Sequence, residues 1–315
     1  MMEIMQTSEN LLGNKPIILI IDFANVAYSG WYSKPDINHS GHNVNAVMVF
    51  YSRLRALKQT FDPTYLVIAE DMGRTKTFRR KMYPQYKAQR KPLDPDIGQQ
   101  MAIIRSLNQA LGFPRISNEL FEADDIVGMV SKWGDEHDFD SVIISSDRDM
   151  YQLVSDHTYV MSPKDNTLID LEYMKEIYGL TPEQWIDLKI LQGDGADNIP
   201  GIKGIGKKTA LELMQQFKSI ENIYSNLQYI KPHLRDLLIA GKNDVPLMRD
   251  LVTIITDYTK IDLNESKLHR HEPMYDIIDD TMQRYGLWPA LGGTMQYGMY
   301  PQSYEKLEVF TNDAS

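Results

Sequence analysis

The chain has 315 residues, 43% of them hydrophobic and 24% charged, with a formal net charge of -10. That is room for one large α/β core or two smaller units of ordinary globular composition. The absence of cysteine excludes disulfides and thiolate chemistry, and the acidic balance argues against a protein that coats nucleic acid. The opening residues lack the basic region and apolar core of a secretory signal, and "IILII" is too short to span a bilayer. A cytoplasmic location without membrane contact is therefore expected, in the host cell if the protein is phage-encoded.

In chain order, "PIILIIDF" (16–23) predicts a strand covered on both faces. Helical spacing follows over 43–61, then a second strand, "TYLVIAED" (64–71), and a long helix over 94–113. A helix over 122–137 precedes a third strand, "DSVIISSD" (140–147). This alternation predicts a mainly parallel sheet flanked by helices. Beyond about 171 the pattern becomes helical. Helices are expected at "IKPHLRDLLIAGK", "VPLMRDLVTIITDY" and 276–293.

Each of the three strands ends in acid: Asp22, then Glu70 and Asp71, then Asp147 and Asp149. Open α/β sheets place their sites beyond the carboxyl ends of their strands. Asp147 and Asp149 point to one side if their segment stays extended. "EADD" adds Glu122, Asp124 and Asp125, which also read as an ordinary charged first turn. Asp194 and Asp197 in "GDGADNIPG" complete the set. Crowded carboxylates raise one another's pKa, a penalty that hard divalent cations such as Mg2+ or Mn2+ remove.

Two basic regions accompany the acids. "RTKTFRRKMYPQYKAQRK" (74–91) holds eight Arg or Lys and no acid. Arg74, Lys76, Arg79, Arg80, Lys81, Lys87 and Arg90 offer phosphate contacts, and Tyr83 and Tyr86 offer stacking surfaces. "GIKGIGKKTA" (201–210) places glycines in a tight hairpin before a helix starting near Lys207. Lys203, Lys207 and Lys208 suit a helix-hairpin-helix-like clamp on duplex backbone. The order of a nucleotide-hydrolysing P-loop is absent.

These pieces resemble the 5′-nuclease family of flap endonucleases, DNA polymerase I 5′-nuclease domains and phage RNase H or 5′-exonuclease enzymes. The matching stretches are "IDFANVAY", "AEDMGRTKTFRRKMYPQYKAQRKP", "EADD", "SSDRDMYQL" and "GDGADNIPGIKGIGKKTA", in family order. The phage replication enzymes look nearest, and no polymerase-sized C-terminal extension is read in the chain.

The resemblance implies two Mg2+ ions held among Asp22, Asp71, Glu122, Asp124, Asp125, Asp147, Asp149, Asp194 and Asp197. One ion is expected near Asp71 and Asp124, the other near Asp147, Asp149 and Asp197. It implies catalytic roles at the scissile phosphate for Arg79 and Lys87, a basic arch over 74–93, and K+ held by hairpin carbonyls from Gly201 to Gly206. Glu70 stands where many relatives are apolar and is left out of the site.

The implied activity is structure-specific 5′-3′ exonuclease and flap endonuclease cleavage with RNase H activity, removing RNA primers and adjacent DNA during lagging-strand replication. The partner is duplex DNA or an RNA-DNA hybrid with a 5′ flap or 5′ end. A monomer is expected. The tail, with Leu307 and Phe310, is a docking peptide for a sliding clamp or single-strand-binding protein, or an ordinary frayed end. A non-catalytic duplex-binding replication protein and a metal-dependent single-strand ribonuclease are the alternatives. The first needs no carboxylate crowd and the second no residues 191–217. The expected division is an extension at 1–15, a catalytic domain at 16–185, a duplex-binding region at 186–300 and a tail at 301–315.

Overall fold

The computed structural model describes residues 15–33, 36–39, 41–73 and 76–287. Arg74 and the tail residues Leu307 and Phe310 lie outside them. Six strands form one sheet in the order β5-β4-β1-β6-β7-β8. They are β1 (Ile17–Asp22), β4 (Tyr65–Ala69), β5 (Arg115–Ile116), β6 (Asp140–Ile144), β7 (Thr158–Met161) and β8 (Leu168–Ile169). All neighbours are parallel except β7 and β8. A two-stranded ribbon of β2 (Asn38–His39) and β3 (His42–Asn43) stands apart. The three long strands are those read from the sequence. The three short ones carry too few residues to show a pattern of their own.

Helices cover both faces, and strand alternation decides which side chain meets which layer. Ile18 and Ile20 enter one core, together with α5 (Ala123–Glu136) and the C-terminal helices. Leu19 and Ile21 enter the other, against α1 (Phe23–Ser33), α2 (Asn45–Phe61) and α4 (Pro95–Ala110). All four are sealed from solvent, each worth about 1.5–3 kcal/mol of burial.

The first core runs without a break from Ile18 through Trp185, Met214 and Leu251 to Leu268. The helical region therefore shares its core with the sheet. It contains α6 (Pro182–Gln192), α7 (Lys207–Phe217), α8 (Ile220–Ser225), α9 (Pro232–Gly241) and α10 (Val245–Val252). The helix expected to continue through "TIITDY" ends at Val252, because residues 253–255 run back along α5. There Ile255 N–H donates to Asp125 (2.9 Å) and Ile254 N–H to Gln152 (2.9 Å). The last helix, α11 (Tyr275–Tyr285), ends at Gly286 with φ +60°.

Between α6 and α7 lies the glycine hairpin. Gly193 and Gly201 take φ of +69° and +64°, and their backbones touch. A Cβ on Gly201 would sit 2.4 Å from the nitrogen of Gly193. Glycine at both places lets "GDGADNIPG" close into a tight loop, which sets Asp194 beside the third strand's end.

Candidate active site

Parallel pairing brings the carboxyl ends of β1, β4 and β6 side by side. In register, Asp22 pairs with Ala69 and Ile21 with Ile144. Asp22 therefore stands level with Ser145, whose hydroxyl donates to it at 2.7 Å. Beyond β4 the chain reaches Asp71, which accepts from the N–H of Ala123 (2.7 Å) and so pins the start of α5 to the sheet. Beyond β6 the chain turns instead of staying extended. Asp147 caps a 3-10 turn, Arg148–Leu153, and accepts from Asp149 N–H at 2.9 Å. Asp147 consequently faces two clefts and Asp149 only one of them.

Two adjoining clefts result. The first, about 490 Å³, is lined by Asp22, Asp71, Glu122, Asp124 and Asp147, with Lys87 and Arg90. The second, about 980 Å³, is lined by Asp147, Asp149 and Asp194, with Lys189 and Lys207. Asn25, Ser146 and Asp147 belong to both.

Burial with too little compensating charge shows in the acids. Desolvation pushes the Asp22 carboxyl up to about 7, against its Ser145 and Asn25 hydrogen bonds. It pushes Asp124 well above the usual carboxylate range and raises Asp71. Asp149 is pushed up to about 6 by burial and by Asp147. Asp194 moves the other way, because Lys189 and the N–H groups of Ala196 and Asp197 together outweigh its desolvation. Burial pulls Lys87 down, but Glu122, Asp197 and Asp124 together hold it above the usual lysine range.

The basic segment folds down onto this site, with one short helix, α3 (Phe78–Met82), among its described residues. Lys87 enters the first cleft and donates to Glu122 at 2.7 Å. Its backbone takes φ +52° and its N–H donates to the carbonyl of Asp197 (2.9 Å). Arg90 pairs with Asp197 at 2.6 Å. Arg80 donates to the carbonyl of Tyr86, Lys76 pairs with Glu119 on the surface (3.0 Å), and Lys81 is exposed. Tyr83 is half-buried against the core.

Three residues of the expected set, two for substrate and one for metal, face away from the clefts. Arg79 is only 2% exposed. Its guanidinium grips both oxygens of Asp125 (2.6 and 2.7 Å) and reaches Glu122 (3.1 Å). It also donates to the carbonyls of Leu251 (2.9 Å) and Thr253 (2.7 Å). Asp125 is fully buried and also accepts from the N–H groups of Glu122 (3.0 Å) and Ile255. For Asp125 the first-turn reading holds: the carboxylate caps α5 and faces Arg79, away from both clefts. Tyr86 is buried too. Its hydroxyl donates to Glu122 (2.8 Å) and lies 3.2 Å from Asp197, so its ring offers no stacking face.

Glu122, receiving Arg79, Tyr86 and Lys87, is the hub of this network, and Asp197 joins it through Tyr86 and Lys87. Glu70, left out of the site because many relatives are apolar there, turns from the cleft and is buried against Arg105 and Arg115. Lys203, Lys207 and Lys208 are exposed on and beside the hairpin. Sequence reading missed Lys189, and also Asn25, Tyr28, Tyr32, Arg53 and Lys164 on the first cleft's rim. Tyr28 and Tyr32, four apart on the helix that starts beside Asp22, carried a weak signal of a shared face. Lys189 carried none.

Among the described residues, no group of three or more His, Asp or Glu closes around one point as a ready-made metal cage. The donors are nonetheless all carboxylate oxygens, and desolvation raises Asp22 and Asp124, neither of which is ion-paired among the described residues. That combination suits a hard divalent ion which keeps several of its waters.

Sheet order, carboxylate clefts and hairpin together define a 5′-nuclease-type α/β protein, and the chain belongs to the 5′-3′ exonuclease family. Residues 17–179 match its N-terminal resolvase-like domain, and residues 180–276 its C-terminal SAM fold. The thermostable DNA polymerase I of Thermus thermophilus is 37% identical over 254 residues, covering 79% of this chain and 30% of that protein. DNA polymerase I of Bacillus subtilis is 36% identical over 246 residues, 76% of this chain and 28% of that one. The chain thus spans under a third of the length of these curated relatives. The fold is shared with T5 5′-exonuclease bound to divalent metal ions (zinc), at a TM-score of 0.64 and 21% identity, covering 85% of this chain and 99% of that one. It is also shared with the catalytic core of Rad2 in complex with DNA substrate, at a TM-score of 0.58 and 20% identity, covering 91% and 92%. No described helix is long and apolar enough to cross a membrane.

Proposed function

We propose that the protein is a divalent-metal-dependent phosphodiester hydrolase acting at the 5′ end or 5′ flap of duplex DNA or an RNA-DNA hybrid. In this reading it removes RNA primers and adjacent DNA during replication. The observation that carries the reading is the convergence of Asp22, Asp71, Asp124 and Asp147 on one cleft with Lys87. Asp22, Asp71 and Asp124 would hold one Mg2+, and Asp147 with Asp149 and Asp194 would hold a second. The chemistry such an ion would supply is polarisation of the phosphodiester and activation of water. Lys87, held by Glu122, presents its ammonium toward the cleft, where negative charge develops on the phosphoryl oxygens. Arg90 adds a second positive charge at the mouth.

Arg79 acts at one remove. By tying α3, the start of α5 and the segment after α10 together, it positions Glu122 and through it Lys87. Lys203, Lys207 and Lys208 hold the duplex by its backbone, independent of sequence. Cleavage of a labelled 5′-flap DNA and of an RNA-DNA hybrid, with and without Mg2+, tests the reading. Metal-dependent release of 5′-end products supports it. Duplex binding without cleavage under any divalent metal refutes it.

A further inference from the structure

Lys189 lies on α6 between the buried Leu188 and Ile190 and is itself 6% exposed. A buried ammonium is costly unless it is paired. Here the nitrogen stands 2.6 Å from Asp149 Oδ1 and 2.5 Å from Asp194 Oδ2. It thus bridges two acids that come from distant parts of the chain, one after β6 and one from the glycine loop. The first cleft is built differently: the hydrogen bonds to Asp22 come from the neutral Ser145 hydroxyl and Asn25 N–H. One lobe of the carboxylate cluster therefore carries an internal cation close against its acids. In the other, Lys87 pairs with Glu122, and the most buried acid, Asp22, is left to neutral donors.

We propose that Lys189 is a built-in counter-cation that makes the Asp149–Asp194 lobe the weaker of two divalent-metal sites. This rests on the reading above that the carboxylates take divalent cations. In the metal-free protein the ammonium holds Asp149 and Asp194 together and spares them mutual repulsion. A divalent ion arriving there would meet a like charge less than 3 Å from the Asp149 and Asp194 oxygens and would have to displace it. In the Asp22 lobe the internal cation, Lys87, pairs with Glu122 and Asp197 and not with Asp22, Asp71 or Asp124, so an ion held by those three would face no such exchange. Lys189 is thus a positioning residue with a second consequence: the two sites fill in order, the Asp22 side first.

The test is Mn2+ binding to the full chain without substrate, followed by calorimetry and by the electron paramagnetic resonance of free Mn2+. Wild type is compared with Lys189→Met, Lys189→Gln and Lys189→Arg. Wild type should show a tight and a weak class of site. The two neutral variants should tighten the weak class by about tenfold or more, the scale on which a like charge at this range acts. The tight class should stay unchanged, and Lys189→Arg should keep the wild-type pattern. Without metal, Lys189→Met should melt lower, and Mn2+ should recover that loss. A second class appearing only in the neutral variants supports the same conclusion. A weak class that both neutral variants leave unchanged or weaken overturns the proposal, as does a single class in all four proteins. Wild type that binds no Mn2+ at all overturns the divalent-cation reading itself, a distinguishable failure.

Discussion

Arg79→Met removes a guanidinium whose every contact lies inside the protein. Methionine fills much of the same volume but leaves Asp125 as a fully buried carboxylate holding only the N–H groups of Glu122 and Ile255. Breaking a buried ion pair from one side costs about 3–5 kcal/mol, because the surviving charge stays buried. The carbonyls of Leu251 and Thr253 also lose a donor, each worth about 1–3 kcal/mol if it finds no water. These losses share one side chain and do not add. The expected destabilisation is about 4 kcal/mol, read as a lower urea midpoint at unchanged slope. Arg79→Met with Asp125→Leu should recover part of it, since no unpaired charge then remains. Cleavage by whatever fraction stays folded should fall through misplacement of Glu122 and Lys87. A variant as stable as wild type that binds duplex but cleaves slowly would refute this account and return Arg79 to the scissile phosphate.

Lys87→Ala should slow single-turnover cleavage by about 2–4 kcal/mol, the range of an electrostatic transition-state stabiliser, with a smaller loss of duplex affinity; equal losses would make it a binding residue only. Asp147→Asn with Asp149→Asn should abolish cleavage while preserving the fold and much of the duplex binding, measured by product formation under saturating Mg2+. Lys207→Ala with Lys208→Ala should weaken binding across sequences and lower the salt slope by about 2, one per lost phosphate contact. In the metal-free protein the folded pKa of Asp22 (about 7) and of Asp149 (about 6) lie above the unfolded value near 3.8. The folded state then binds more protons than the unfolded one between about pH 4 and 7, so stability should fall as pH rises through that window. Added Mg2+ should restore it most above pH 7, as seen in melting curves across pH.

The acidic strand ends of β1 and β4, the basic run and the glycine hairpin were legible because each is a local pattern. A buried parallel strand must be apolar, a tight loop needs glycine at positive φ, and a phosphate contact needs Arg or Lys. Parallel pairing then forces the strand ends together, so Asp22, Asp71 and Asp147 could be placed at one edge before any coordinates. What composition could not assign was the partner of each charge. Asp124 and Asp125 are neighbours on one turn, yet the first lines the cleft and the second is sealed against Arg79, because α5 presents them to different surroundings. Arg79 and Lys87 are equally basic in the sequence. Packing against Leu251 and Thr253 buries one, and a left-handed turn delivers the other to Glu122. Lys189 stands in an apolar stretch with no local signal. Its role exists only because the turn after β6 and the glycine loop bring Asp149 and Asp194 to its nitrogen. Which groups are charged is a property of the chain; which charges meet, and at what desolvation, is set by tertiary contacts among residues far apart in sequence.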